Sequence, residues 1–170
     1  MPTAAFSAMA PAAASIERSC TSSPHPLTFW LGRWDVYSDG KLDGHNFIES
    51  SLGDCVVLEH WDDADGSKGL SLFYFEPLGK WWKQVWVTDH ARLPGGTKEK
   101  TLIHAKDGMA QFQGAVSVGA GQTVLDRTTL STMPGGDVSQ VIEISRDDGR
   151  TWTRQYDAVY RRATSASPQK

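Results

Sequence analysis

The sequence lacks most of what assigns a function at sight. It has no apolar run approaching the ~18 to 20 residues of a membrane-spanning helix, and no segment sustains a 3.6-residue apolar period. No membrane span and no helical bundle is therefore expected. Lys and Arg total 17 against 20 Asp and Glu, giving a formal charge of -3. The basic residues are dispersed, so there is no electrostatic footprint for a phosphate backbone or an anionic membrane, and no nucleic acid is expected as partner. Gly-x-Ser-x-Gly, P-loop and dinucleotide fingerprints are all missing, which removes serine hydrolase, nucleotide and nicotinamide chemistry as defaults. The five histidines, His25, His45, His60, His90 and His104, show no His-x-His or His-Glu-x-x-His spacing. Neither a cofactor nor a metal is expected.

Cysteine is scarce: Cys20 and Cys55 are the only two. They are too far apart for a Cys-x-x-Cys redox or zinc motif. A bridge would imply an oxidising, exported setting, whereas two free thiols fit the cytoplasm. Residues 1–23 are rich in Ala, Ser and Pro but have neither a basic start nor a sustained apolar core, so they make a poor signal peptide. Free thiols and a cytoplasmic location are the expectation. Residues 1–23 are expected to form a disordered leader, residues 24–162 one domain, and residues 163–170 a disordered tail.

What is present is tryptophan and turn chemistry. Seven Trp in 170 residues is a high count, and a small barrel around an aromatic or apolar ligand is one use for so many rings, filling the core being the other. Short alternating or β-branched segments recur from Phe29 to Arg162, separated by turn clusters such as Asp62-Asp63-Ala64-Asp65-Gly66, Asp107-Gly108 and Pro134-Gly135-Gly136-Asp137. About ten strands at this spacing predict an all-β fold, a single antiparallel up-and-down barrel, closed because closure removes the edges. Asp89 to Thr97 is the expected mobile rim.

Period two sorts the candidate residues into faces. Trp82, Gln84 and Trp86 share one face of their strand and are placed inside. The same logic groups Glu59 with Trp61, Ser71 with Phe73, Arg127 with Thr129, Gln140 with Ile142, and Tyr156 with Tyr160. An enclosed Arg127 needs a carboxylate, and Glu59 is the expected partner, because an unpaired buried charge costs several kcal/mol. Ser145-x-Asp147-x-Gly149-x-Thr151-Trp152 fits the Asp-box pattern. A single copy reads as a hairpin device, with short polar side chains satisfying turn amides, and not as a glycosidase signature.

Phe29-Trp30-Leu31-Gly32-Arg33-Trp34-Asp35-Val36, Cys55 with Glu59 and Trp61, Lys80 to Val87, Asp147 to Trp152 and Tyr160-Arg161-Arg162 together resemble bacterial domains of the DUF1579 type, which are small calycin-like barrels. Thr28 departs from the Asp that such domains often carry before Phe-Trp. A weaker similarity extends to lipocalins and fatty-acid-binding proteins. Their first-strand Gly-x-Trp packs on a basic side chain of the last strand, which implies Trp34 against Arg161 or Arg162, a stacking worth ~0.5 to 2 kcal/mol.

The function expected from these residues is binding of a small hydrophobic or aromatic molecule, by Trp61, Ser71, Phe73, Trp82, Gln84, Trp86, Gln140 and Tyr156, with Arg127 helping to orient it. The alternative is a cofactor-independent lyase, isomerase or cyclase. There Glu59 or His60 is the general base, and Arg127 or Tyr74 stabilises oxyanion charge. A purely structural domain is the third reading, and a homodimer the expected assembly if there is one. If the strand faces are reversed, His60, Leu72, Tyr74 and Val85 line the interior instead.

Overall fold

Ten strands follow one another in sequence, each antiparallel to the next, and the last pairs with the first. They are β1 (Gly32–Ser38), β2 (Lys41–Ser51), β3 (Val56–Asp63), β4 (Lys68–Glu76), β5 (Trp81–Thr88), β6 (Thr97–Lys106), β7 (Met109–Gly119), β8 (Gln122–Thr132), β9 (Val138–Ser145) and β10 (Thr153–Arg162). The structure is a computed structural model and describes Cys20 and residues 25–90 and 96–164. Most of the expected leader, the end of the tail and the centre of the expected mobile rim lie outside the described residues. The fold is the expected closed up-and-down barrel.

Closure rests on the pairing of β1 with β10, in register from Trp34 opposite Arg162 to Ser38 opposite Ala158. Asp107-Gly108 makes the expected tight hairpin, with Lys106 opposite Met109 and Gly108 at φ 71°. Bulges interrupt the ladders at Val36/Tyr37, Leu102/His104, Ser117/Gly119 and Arg154/Tyr156. Such insertions let a ten-stranded sheet curl.

One end is plugged. A short 3-10 turn, Thr28–Trp30, leads into β1 and carries Leu27 and Trp30 into the interior, where both are fully buried. The Trp30 ring meets Phe73 and Tyr160 edge-on, each at 5.7 Å. Ile48, Val57, Trp82, Phe112, Leu130 and Val138 complete this core. Trp34 is 1% exposed, donates its indole N–H to the Trp30 carbonyl at 2.7 Å, and lies under the Arg162 guanidinium at 3.8 Å. Arg162, of the two expected, is the partner, and it donates to the Leu31 carbonyl at 2.6 Å. Gly32, at φ 122°, makes this possible, since a Cβ there would stand 2.2 Å from the Arg162 side chain.

Cys20 and Cys55 form a disulfide, with Cα atoms 5.3 Å apart, in place of the two free thiols expected. The turn between β2 and β3 carries Leu52, Gly53 and Asp54 at positive φ and so delivers Cys55 to the plugged rim, where the chain enters β1. Sequence separation hid this proximity.

Candidate functional site

The plug fills one end of the interior. Toward the other end the inward positions become polar: Asn46 on β2, Glu59 on β3, Ser71 on β4, Gln84 on β5, Lys98 and Lys100 on β6, Asp126 and Thr128 on β8. Two partly buried indoles stand among them. Gly44 and Gly69 have no side chain where Trp61 and Trp86 lie. A Cβ on Gly44 would meet the Trp61 ring at 2.7 Å, and one on Gly69 would meet the Trp86 ring at 2.0 Å. The neighbouring strand has been cleared for each ring.

Glu59 is the centre of one group. Its carboxylate accepts from Asn46 Nδ2 at 2.7 Å and from Ser71 Oγ at 2.5 Å, and Gln84 Nε2 donates to Ser71 Oγ at 3.2 Å. Burial pushes the carboxyl above its ordinary 4.5, against the opposing pull of those donors and of Lys100. Tyr160 donates to Gln140 Oε1 at 3.0 Å, and Tyr156 donates to the Asp43 carboxylate nearer the rim. Burial raises both phenols well above their usual range.

Asp126 is the centre of the other. Lys98 Nζ lies 2.8 Å from its Oδ2, and Lys100 Nζ contacts its Oδ1 and the Thr128 hydroxyl. Side-chain exposure is 0% for Asp126, 2% for Lys100 and 16% for Lys98. Burial first, and then the neighbouring Lys98 charge, bring Lys100 down from 10.5 to about 8, with Asp126 opposing. Burial would raise Asp126, but the two ammonium groups outweigh it and hold the carboxyl below its ordinary value. The lysines reach across β7 to β8. They can do so because Gly114, opposite Asp126, is bare, and a Cβ there would stand 2.0 Å from the Glu99 carbonyl of β6.

Among the expected site residues, Glu59, Ser71, Phe73, Trp82 and Gln84 are buried on the interior face, with Trp61, Trp86, Gln140 and Tyr156 partly buried on the same face. Phe73 and Trp82 belong to the plug, and Trp82 packs against His25 and Phe75. Three others are corrected. Arg127 lies on the outer face, where it pairs with Glu143 at 2.8 Å and stacks on Trp152 at 3.8 Å, so it does not meet Glu59. His60 is outside, stacked on Phe47 and 3.0 Å from Glu49. Tyr74 shares that outer face, opposite Val56 and Lys83. Alternation requires this once Glu59 and Phe73 point inward.

The Asp box behaves as a hairpin device. Asp147 accepts from Ser145, from the Thr151 amide at 2.9 Å and from the Thr151 hydroxyl at 2.6 Å, and Trp152 donates to the Gly149 carbonyl at 3.1 Å. These donors, Thr151 first, bring the Asp147 carboxyl down to about 2. Arg127 clamps the Trp152 ring from outside. Among the described residues, no three His, Cys, Asp or Glu side chains are grouped to hold a metal ion.

Sequence reasoning missed Lys98, Lys100, Asp126 and Asn46. Thr97-Lys98-Glu99-Lys100 has the polarity of a solvated rim, and the available signal was only the period-two recurrence of Lys leading into Leu102. Compared with known proteins, the chain matches no family model, and no curated protein is a significant match.

Proposed function

We propose that the polar end of the barrel holds a small hydrophobic or aromatic molecule between Trp61 and Trp86, above the aromatic plug. The observation that carries this reading is the pair of indoles, each partly buried and seated on a neighbouring strand made bare by Gly44 or Gly69. Indoles at a mixed polar and apolar rim supply large contact area together with one hydrogen-bond donor each. Native mass spectrometry of freshly purified protein, followed by tryptophan-fluorescence titration with the copurifying compound, tests it. Trp86→Ala is expected to weaken binding about tenfold through lost contact area. Undiminished binding by both Trp61→Ala and Trp86→Ala would overturn the reading.

A second reading, a lyase, isomerase or cyclase without cofactor, is favoured by one observation: Glu59 is a buried carboxyl whose affinity for a proton is raised. That suits a general base. Arg127 lies outside, so an oxyanion partner in such a reaction would have to be drawn from the lysines that Asp126 engages. Glu59→Gln with retained binding but no turnover would separate catalyst from carrier. The disulfide supports an exported setting, checked by alkylating protein from its native compartment. Kinship with the DUF1579-type calycin-like domains belongs to the same proposal and rests on the motif pieces named above.

A further inference from the structure

The polar groups of the end opposite the plug restrict what can bind beside the indoles. We infer that the bound molecule presents hydroxyl or N–H donors to Asn46 Oδ1 and Gln84 Oε1 and is not a carboxylate; this rests on the binding reading above. Asn46 is 3% and Gln84 7% exposed, and neither carbonyl oxygen has a hydrogen-bond partner among the described residues. Their orientation follows from Glu59. Asn46 presents its amide nitrogen to the Glu59 carboxyl at 2.7 Å, which leaves its carbonyl oxygen on the other branch of the amide. Ser71 spends its single proton on Glu59, so its oxygen can only accept, and Gln84 must also present its nitrogen, at 3.2 Å. Both carbonyls are thereby turned away from the network. A buried acceptor left empty is costly, and a donor from the ligand removes that cost.

The basic groups inside do not call for an anion. Lys98 and Lys100 share Asp126, and Lys100 also donates to Thr128. A ligand carboxylate would have to compete with Asp126 for ammonium groups that it already engages.

The test is calorimetric titration of the wild-type protein with four probes of one ring size: naphthol, naphthamide, methoxynaphthalene and naphthoate. Naphthol and naphthamide are expected to bind about tenfold tighter or better than methoxynaphthalene and naphthoate, because a site built around buried acceptors discriminates against ligands that leave them unpaired. In Gln84→Met, shown to be folded by urea unfolding, the preference for naphthol over methoxynaphthalene should shrink toward parity. Equal binding of naphthol and methoxynaphthalene, or tightest binding of naphthoate, overturns this inference and leaves the binding reading standing. Failure of all four probes to bind overturns the binding reading, and this inference with it.

Discussion

At the plugged end of the barrel the interior is mostly carbon: Trp30, Trp34, Phe73, Phe112 and Leu130 interlock, and the ring nitrogen of Trp34 is spent on a backbone carbonyl. At the other end the same strands turn inward Asn46, Glu59, Ser71, Gln84, Lys100 and Asp126. The first half is held chiefly by packing, which outweighs the cost of the Trp30 and Trp82 indole N–H groups and His25 Nε2, all buried there without a hydrogen-bond partner among the described residues. The second half is stable only while each charge keeps its partner, and it leaves two acceptors unspent. One barrel thus divides into a part held by packing and a part held by charge pairing, and the second is where the proposed ligand would bind.

The largest effect expected from breaking that division is at the plug. Trp34→Ala should cost ~4 to 5 kcal/mol in urea unfolding, at the upper end for a large core truncation, because it also strands the Trp30 carbonyl and the Arg162 guanidinium. A loss below ~1 kcal/mol would show that the plug does not hold the fold. Asp126→Ala removes one carboxylate from between two buried ammonium groups and should cost ~3 to 4 kcal/mol. If it were nearly neutral, Lys98 and Lys100 would be reaching water and the polar half would be solvated.

Reducing the disulfide, which links residues 35 apart in sequence, should lower stability by ~2 to 4 kcal/mol, chiefly by freeing the unfolded chain. Cys20→Ser with Cys55→Ser gives the same comparison without reductant, and an unchanged unfolding midpoint would deny the bridge any part in stability. A smaller, signed effect is expected from pH. Glu59 binds its proton more tightly folded than unfolded, so its contribution is complete below 4.5 and is lost as pH rises through the higher folded value. Lys100, Tyr156, Tyr160 and, from outside, His60 are the titratable groups coupled to it. Wild type should therefore lose stability relative to Glu59→Gln across that window, and parallel pH profiles would mean that Glu59 is not buried as an acid. The smallest effect is outside: Arg127→Met should cost about 1 kcal/mol and leave affinity for the proposed ligand unchanged, as for a partly exposed ion pair on the outer surface. A tenfold loss of affinity would put Arg127 back in the binding site.

The amino-acid sequence alone determined the barrel. Turn residues at short intervals, alternation between them and the absence of helical periodicity leave an antiparallel sheet that must close to lose its edges. Gly32-x-Trp34 likewise fixed its own local packing, because a missing Cβ and a large ring act on immediate neighbours. Only the tertiary structure decided the polar interior. In Val124-Leu125-Asp126-Arg127-Thr128 either phase of the alternation buries one charge, so β8 reads equally well both ways until its neighbours are known. The deciding groups, Lys98 and Lys100, stand 28 and 26 residues before Asp126, and Glu143, which holds Arg127 outside, stands 16 after Arg127. A charge is buried where its partners are, and in a closed sheet those partners are set by strand neighbours and the gap left at Gly114. The same physics hid the disulfide: proximity across a barrel rim is a property of closure, and no local pattern in the chain encodes it.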